Sequence, residues 1–239
     1  MIFSGIQKTS TIDYPGMLCS VLFTSGCMFR CHYCHNSELV FSTKNTSIDE
    51  VNTDYFNISE EEILDILLKR KNFVGAVSIT GGEVTLHKDI IMFLDTLKDN
   101  GFKVKIDTNG TNPDMIKRLL PKLDFIAMDV KGINEKHYEE TVGVYTDFSN
   151  IKKSINLIMN SGVDYEFRTT VVPTLFPIDK FNSLGKLLKG SKKHVIQQFV
   201  NRNTLNPIYE DVSPYTPSEL YQIKNILKKY IKLVEIRGI

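Results

Sequence analysis

"LCSVLFTSGCMFRCHYCHN", residues 18–36, joins an apolar, β-branched run to a polar segment that carries three cysteines. Leu18–Thr24 reads as a buried strand ending at a loop. Cys27, Cys31 and Cys34 follow with the spacing C-x3-C-x2-C, while Cys19 lies inside the strand. Positions i, i+4 and i+7 also share one face of a helix, so three buried cysteines are one reading. Arg30, His32, Tyr33, His35 and Asn36 make a poor core face, which argues against it. A zinc ion held by the three cysteines with His32 or His35 is a second reading. The third is an iron–sulfur cluster with one iron left without a protein ligand, since thiolates are the ligands such clusters use. Cys19, which precedes the loop, reads as a small core residue.

Working outward, strand-like runs recur at 76–80, 103–108, 124–130, 165–172 and 195–200, with a further candidate in "KLVEIRG" at 232–238. Amphipathic helices separate them. Ser59 and Glu62 form a capping-box pattern ahead of Ile63, Leu64, Ile66, Leu67 and Leu68. A stretch at 89–100 stops at Asn100-Gly101, and another at 149–160 stops before Ser161-Gly162. Thr216-Pro217-Ser218-Glu219 opens a last helix whose stripe is Leu220, Ile223, Leu227 and Tyr230. Strand–helix alternation repeated about six times implies an α/β fold with a parallel sheet, closed or partly closed as a barrel, or else an open doubly wound sheet. In either, ligands gather at the C-terminal ends of the strands. Residues 1–239 read as one domain, with the polar stretch 42–58 as a surface loop.

Lys+Arg 29 against Asp+Glu 28 leaves a net charge of +1, so no global field draws nucleic acid or an anionic membrane. No apolar run approaches the roughly 18 residues that span a bilayer. The start, "MIFSGIQKTSTIDYPG", lacks the basic and apolar segments of a signal peptide. A cytoplasmic protein with reduced thiols is the expectation, and clustered cysteines there point to metal or catalysis.

With Tyr33 before its last cysteine and a strand ahead of it, the C-x3-C-x2-C triad resembles the signature of the radical S-adenosylmethionine superfamily. Further elements follow in order. "TGGE" (80–83) resembles the family's GGE turn, although Val84 stands where many members have proline. "IDTNG" (106–110), "MDVK" (128–131), "YEFRTTVVP" (165–173), "TIDYPG" (11–16) and the "CHN" ending at Asn36 resemble the glycyl-radical enzyme activases within it. The resemblance runs from Asp13 to Pro173, and "QQFVNRNTLNP" (197–207) departs from those activases that place a histidine there.

The resemblance implies a partial (β/α)6 TIM-like barrel of the radical SAM type. It implies a [4Fe–4S] cluster on Cys27, Cys31 and Cys34, whose fourth iron takes the amino and carboxylate groups of S-adenosylmethionine. Tyr33, His35, Asn36, Gly81, Gly82, Glu83, Asp107, Thr108, Asn109, Asp129, Lys131 and Arg168 become cofactor contacts, some of them near a bound monovalent cation. Asp13 and Arg168 become candidate substrate contacts. In the implied reaction, one electron from a flavodoxin- or ferredoxin-type donor cleaves the sulfonium. The resulting 5′-deoxyadenosyl radical takes a hydrogen atom from a glycine Cα of a partner enzyme. The wording "YEFRTTVVP … QQF … RG" is most similar to activators of anaerobic ribonucleoside-triphosphate reductase, which makes that reductase the first choice of partner. Activation of another glycyl-radical enzyme such as pyruvate formate-lyase is the alternative. A radical enzyme acting on a small molecule or peptide is a further reading, and a non-enzymatic zinc or cluster module another. The absence of any cysteine after Cys34 disfavours the accessory cluster domains common in peptide modifiers.

After anaerobic reconstitution, Cys34→Ala is expected to lose both iron and activity, whereas Cys19→Ala keeps both. Iron content and visible absorption decide the matter; loss of the cluster in Cys19→Ala would sink the three-ligand reading.

Overall fold

A computed structural model describes residues 1–40 and 57–238, in an α/β fold with a mostly parallel sheet. The chain forms two compact units. The first holds Met1–Met28, Glu38–Thr108 and Asp114–Ile126; the second holds Phe29–Ser37, Asn109–Pro113 and Ala127–Ile239.

In chain order the first part contains β1 (Ile2–Phe3), β2 (Gly5–Ser10), β3 (Cys19–Thr24), α1 (Ser37–Val40), β4 (Ile58–Ser59), α2 (Glu60–Arg70), β5 (Ala76–Gly81), α3 (Ile90–Asp99), β6 (Lys103–Thr108) and α4 (Pro113–Leu119). Its sheet runs β6-β5-β3-β2, with β3, β5 and β6 parallel and β2 antiparallel to β3. β1 and β4 form a small antiparallel pair. Side chains on β5 and β6 alternate between the two faces, as strand geometry requires. Val77, Ile79, Val104 and Ile106 occupy one buried face. Ser78, Thr80, Lys105 and Asp107 occupy the other, with Ser78 in register beside Lys105. The sequence reading expects strands at 18–24, 76–80 and 103–108, and all three are present. It does not anticipate β2, because "GIQKTS" is half polar and pairs only along one edge.

The later part contains β7 (Phe125–Asp129, whose Ala127–Asp129 lie in the second unit), α5 (Glu135–Val142), α6 (Phe148–Met159), β8 (Asp164–Val171), α7 (Phe181–Leu187), β9 (Lys193–Gln198), α8 (Pro217–Leu227) and β10 (Leu233–Arg237). Here the order is β10-β9-β8-β7, with β8, β9 and β10 parallel.

Both expected capping boxes are formed. Glu62 N donates to Ser59 Oγ while Ser59 N donates to Glu62 Oε2. Thr216 and Glu219 repeat the exchange at the start of α8. The stripe of α8 is Leu220, Ile223 and Leu227, but Tyr230 falls beyond the helix end. Its ring instead lies where a Cβ on Gly185 would approach within 2.3 Å, which explains a glycine inside α7. The expected loop at 42–58 lies outside the described residues except for its last two, and Ile58 belongs to β4. Among the described residues no helix is long and apolar enough to cross a membrane.

The second unit is fastened by charge across three strands. Glu166 of β8 is 1% exposed and accepts both guanidinium N–H groups of Arg237 at 2.7 Å, with Lys193 of β9 at 3.3 Å. Burial pushes this carboxyl up, yet the bonds and charge of Arg237, then Arg168 and Lys193, outweigh it and leave the pKa below the ordinary range. A carboxyl depressed on folding adds stability that is present above its unfolded pKa of about 4.3 and lost as pH falls through the folded value. Arg237→Ala is therefore expected to cost about 2 kcal/mol in denaturant titration at pH 7. Glu166→Gln in that background should recover part of the loss and flatten the acid dependence below about pH 5. A full additive loss in the double variant would contradict the pairing.

Candidate functional site

In the first unit, β3 ends at Thr24 and β5 at Gly81, side by side. Gly82 N donates to Thr24 O and Glu83 N to Gly26 O, each at 2.8 Å. Gly26 N reaches Leu39 O and Cys27 N reaches Val40 O, so backbone hydrogen bonds help to hold the first turn of the cysteine loop. Gly81 has φ +110°, and a Cβ there would lie 2.5 Å from Thr24 O. On Gly82 it would lie 2.1 Å from Gly26 O. The glycines of the GGE turn are thus required by the close approach of two chains.

That turn buries Glu83, which is 1% exposed. Its Oε1 accepts from Thr85 N, Thr85 Oγ1 and Thr108 Oγ1 at 3.1, 2.5 and 2.7 Å. Thr108, read as a cofactor contact, thus also anchors Glu83. Asp107 accepts from Lys105 Nζ at 2.5 Å and from Thr80 Oγ1 at 3.2 Å. Asp13 closes a turn by accepting from Ser10 Oγ, which itself accepts from Ile12 N and Asp13 N. Cys19 is fully buried, and burial, then Asp13, pushes its thiol up to about 11. That is a protonated core thiol, as the sequence suggests.

The second unit holds the remainder of the cysteine loop. Cys34 N donates to Cys31 O, and Arg30 N to Val142 O. Residues 201–211 lie alongside: Leu205 N donates to Cys34 O, Asn206 N to His32 O, and His35 Nδ1 meets Arg202 O. His32 stacks on Tyr209 at 5.4 Å with the rings 1° from parallel. Sequence reasoning had no means of finding this strap, because its contacts join residues far apart in the chain, two of them through main-chain groups alone. Cys31 is buried and Cys27 and Cys34 are half-buried. Among the described residues no three His, Cys, Asp or Glu side chains stand close enough to hold a single metal ion. Thiolates are the ligands that iron–sulfur clusters use, and the rings of His32 and His35 each have another contact.

Asp129 is the charged centre of this unit. Arg168 Nε donates to its Oδ1 at 2.9 Å and Lys131 Nζ to its Oδ2 at 3.1 Å. The guanidinium inside β8 is thus paired, as its burial demands. Burial raises the Asp129 carboxyl, but Arg168 and Lys131 overcome this and hold it well below the carboxylate range. Burial lowers Lys131, and Asp129, Tyr33 and Cys31 reverse this to leave it well above the usual lysine value. Lys131 Nζ sits 5.9 Å from the centre of the Tyr33 ring, and Lys131 N donates to Tyr138 Oη. Burial keeps the Tyr33 phenol protonated. Asn109 Oδ1 accepts from Thr111 N and Oγ1, a local turn, and Asn36 is half-buried.

The Radical SAM superfamily model matches residues 21–189. The chain belongs to this superfamily and, within it, to the glycyl-radical enzyme activating enzymes. MJ1227 of Methanocaldococcus jannaschii, named as a candidate glycyl-radical enzyme activating enzyme, is 35% identical over 246 residues, covering 100% of this chain and 96% of that protein. The pyruvate formate-lyase-activating enzyme of Clostridium pasteurianum is 30% identical over 245 residues, covering 95% of each. Among solved structures, Streptococcus suis SuiB matches with a TM-score of 0.67 at 15% identity, covering 91% of this chain and 48% of that one; this likeness concerns the fold alone. Superfamily membership implies a [4Fe–4S] cluster and S-adenosylmethionine. None of these names carries a ribonucleotide reductase, so they favour the alternative partner over the first choice.

Gly82→Ala is expected to cost about 3 kcal/mol, because the methyl meets backbone that cannot yield, and Thr108→Val about 1 kcal/mol. Thermal melts of the unreconstituted protein test this, and an unchanged Gly82→Ala melt would refute the backbone contact.

Proposed function

We propose that this protein cleaves S-adenosylmethionine reductively and installs a glycyl radical on a partner of the pyruvate formate-lyase class. The observation that carries this is the near full-length similarity, 30% over 95% of both chains, to an enzyme named for that activation. Cys27, Cys31 and Cys34 would hold the cluster, which with S-adenosylmethionine supplies one-electron chemistry that removes a hydrogen atom. Cys19, buried and protonated, takes no part.

This chain's own residues bind and orient. Gly81 and Gly82 let the chain turn close against the cysteine loop without intervening side chains, and Glu83 offers a fixed carboxylate to an ammonium. Asp107, Thr108 and Asn109 end β6, where polar groups of the cofactor would lie. Lys131 stays cationic and suits a carboxylate, while Asp129 stays anionic and fixes both Lys131 and Arg168. Tyr33 remains protonated and adds an aromatic face. His35 and Asn36 complete the loop. Asp13 and Arg168 are candidate contacts to the substrate's backbone. Hydrogen-atom removal needs no general base from these groups.

A flavodoxin- or ferredoxin-type protein would be the electron donor. The phrase-level resemblance at 165–173, 197–199 and 237–238 favours anaerobic ribonucleoside-triphosphate reductase as a second partner reading. Mixing the reduced, reconstituted protein with each candidate partner and recording electron paramagnetic resonance spectra separates the two. A glycyl doublet with the lyase is expected. A doublet with the reductase alone reverses the partner assignment, and no 5′-deoxyadenosine from either mixture overturns the activity.

A further inference from the structure

Lys105 is a buried charge that the proposed binding roles do not use. It stands two residues before Asp107 on β6, so both side chains leave the same face of the sheet. Its Nζ donates to Asp107 Oδ1 at 2.5 Å and to Ser78 Oγ at 3.2 Å, while Thr80 Oγ1 supports Asp107 Oδ2. The Lys105 side chain is 4% exposed and that of Asp107 13%.

Stability does not explain the pair. Taking two charges out of water costs several kcal/mol per ion, and well-packed apolar replacements are often neutral or better. The opposite face of the same strands is built from such residues, Val104 and Ile106 beside Val77 and Ile79. A fixed ammonium against an acid at a strand end instead does what a small dissolved cation would do there. It neutralises a carboxylate that must stand close to a charged ligand, and it cannot be diluted away. The family resemblance leads one to expect a monovalent cation near these strand ends, yet Asp107 already has an ammonium from its own chain.

We propose that Lys105 is a tethered counter-cation, a positioning residue that aims the Asp107 carboxylate and takes the place of a free monovalent cation at it. This rests on the reading of Asp107 as a cofactor contact. It makes S-adenosylmethionine binding by this protein indifferent to potassium and sodium.

The test is equilibrium dialysis of S-adenosylmethionine against the anaerobically reconstituted protein, in tetramethylammonium, potassium or sodium chloride at a constant ionic strength of about 0.1 M. For the unaltered protein the affinity is expected to change by less than about twofold among the three salts; a rise of about tenfold with potassium or sodium overturns the proposal. Because this arm needs no variant, it holds even if substitution at position 105 disturbs folding. Lys105→Met is expected to bind about tenfold more weakly in tetramethylammonium and to be restored by a small cation. A purely structural lysine would not produce that ion-specific rescue, so equal weakness in all three salts counts against the proposal. Asp107→Asn separates the two levels: unchanged affinity there removes Asp107 from the cofactor site. A cation requirement in the unaltered protein, with Asp107→Asn weakened, removes only the role of Lys105.

Discussion

Two backbone hydrogen bonds with no side chain between them organise the first unit. Gly82 N on Thr24 O and Glu83 N on Gly26 O clamp the end of β5 to the exit of β3. An added Cβ at Gly82 would fall 2.1 Å from Gly26 O, so this clamp tolerates no other residue without displacement of the chain. From it follow the burial of Glu83, the hydrogen bonds its carboxylate accepts from Thr85 and Thr108, and the presentation of Cys27 at the first turn of the loop.

In each unit the strands carry their charges in compensated groups. Lys105 with Asp107, Lys131 and Arg168 with Asp129, and Arg237 and Lys193 with Glu166 are assembled from positions i and i+2 of one run or from strands one or two places apart in the sheet. Such groups contribute little net stability but are costly to break singly. They hold side chains at fixed orientation and fixed charge, which is what positioning a charged cofactor requires. A reaction carried by bound cofactors leaves the protein only that task.

Much of this was legible before any coordinates. The runs at 76–80 and 103–108 read as strands because their β-branched residues recur between turn signals, and the caps at Ser59 and Thr216 carry their partners three residues on. Other elements were not. β2 is a half-polar edge strand, α5 is short and mostly polar, and α7 contains a glycine whose reason is the Tyr230 ring. The strap at 201–211 reaches the cysteine loop through main-chain hydrogen bonds and ring contacts between residues far apart in the chain, so no local side-chain pattern announces it.

The sequence by itself determined the kind of chemistry: three thiols at C-x3-C-x2-C, a GGE turn after a strand, and acids and a lysine at successive strand ends. These are local features, set by spacing along one chain. Only the tertiary structure decided which charges meet. Lys105, which the one-dimensional pattern treats as an ordinary strand residue, shares a face of β6 with Asp107 by strand alternation, and burial of that face beside Ser78 turns the two into an ion pair. Burial and cross-strand distance fix the state of an ionisable group, and neither is a property of sequence order.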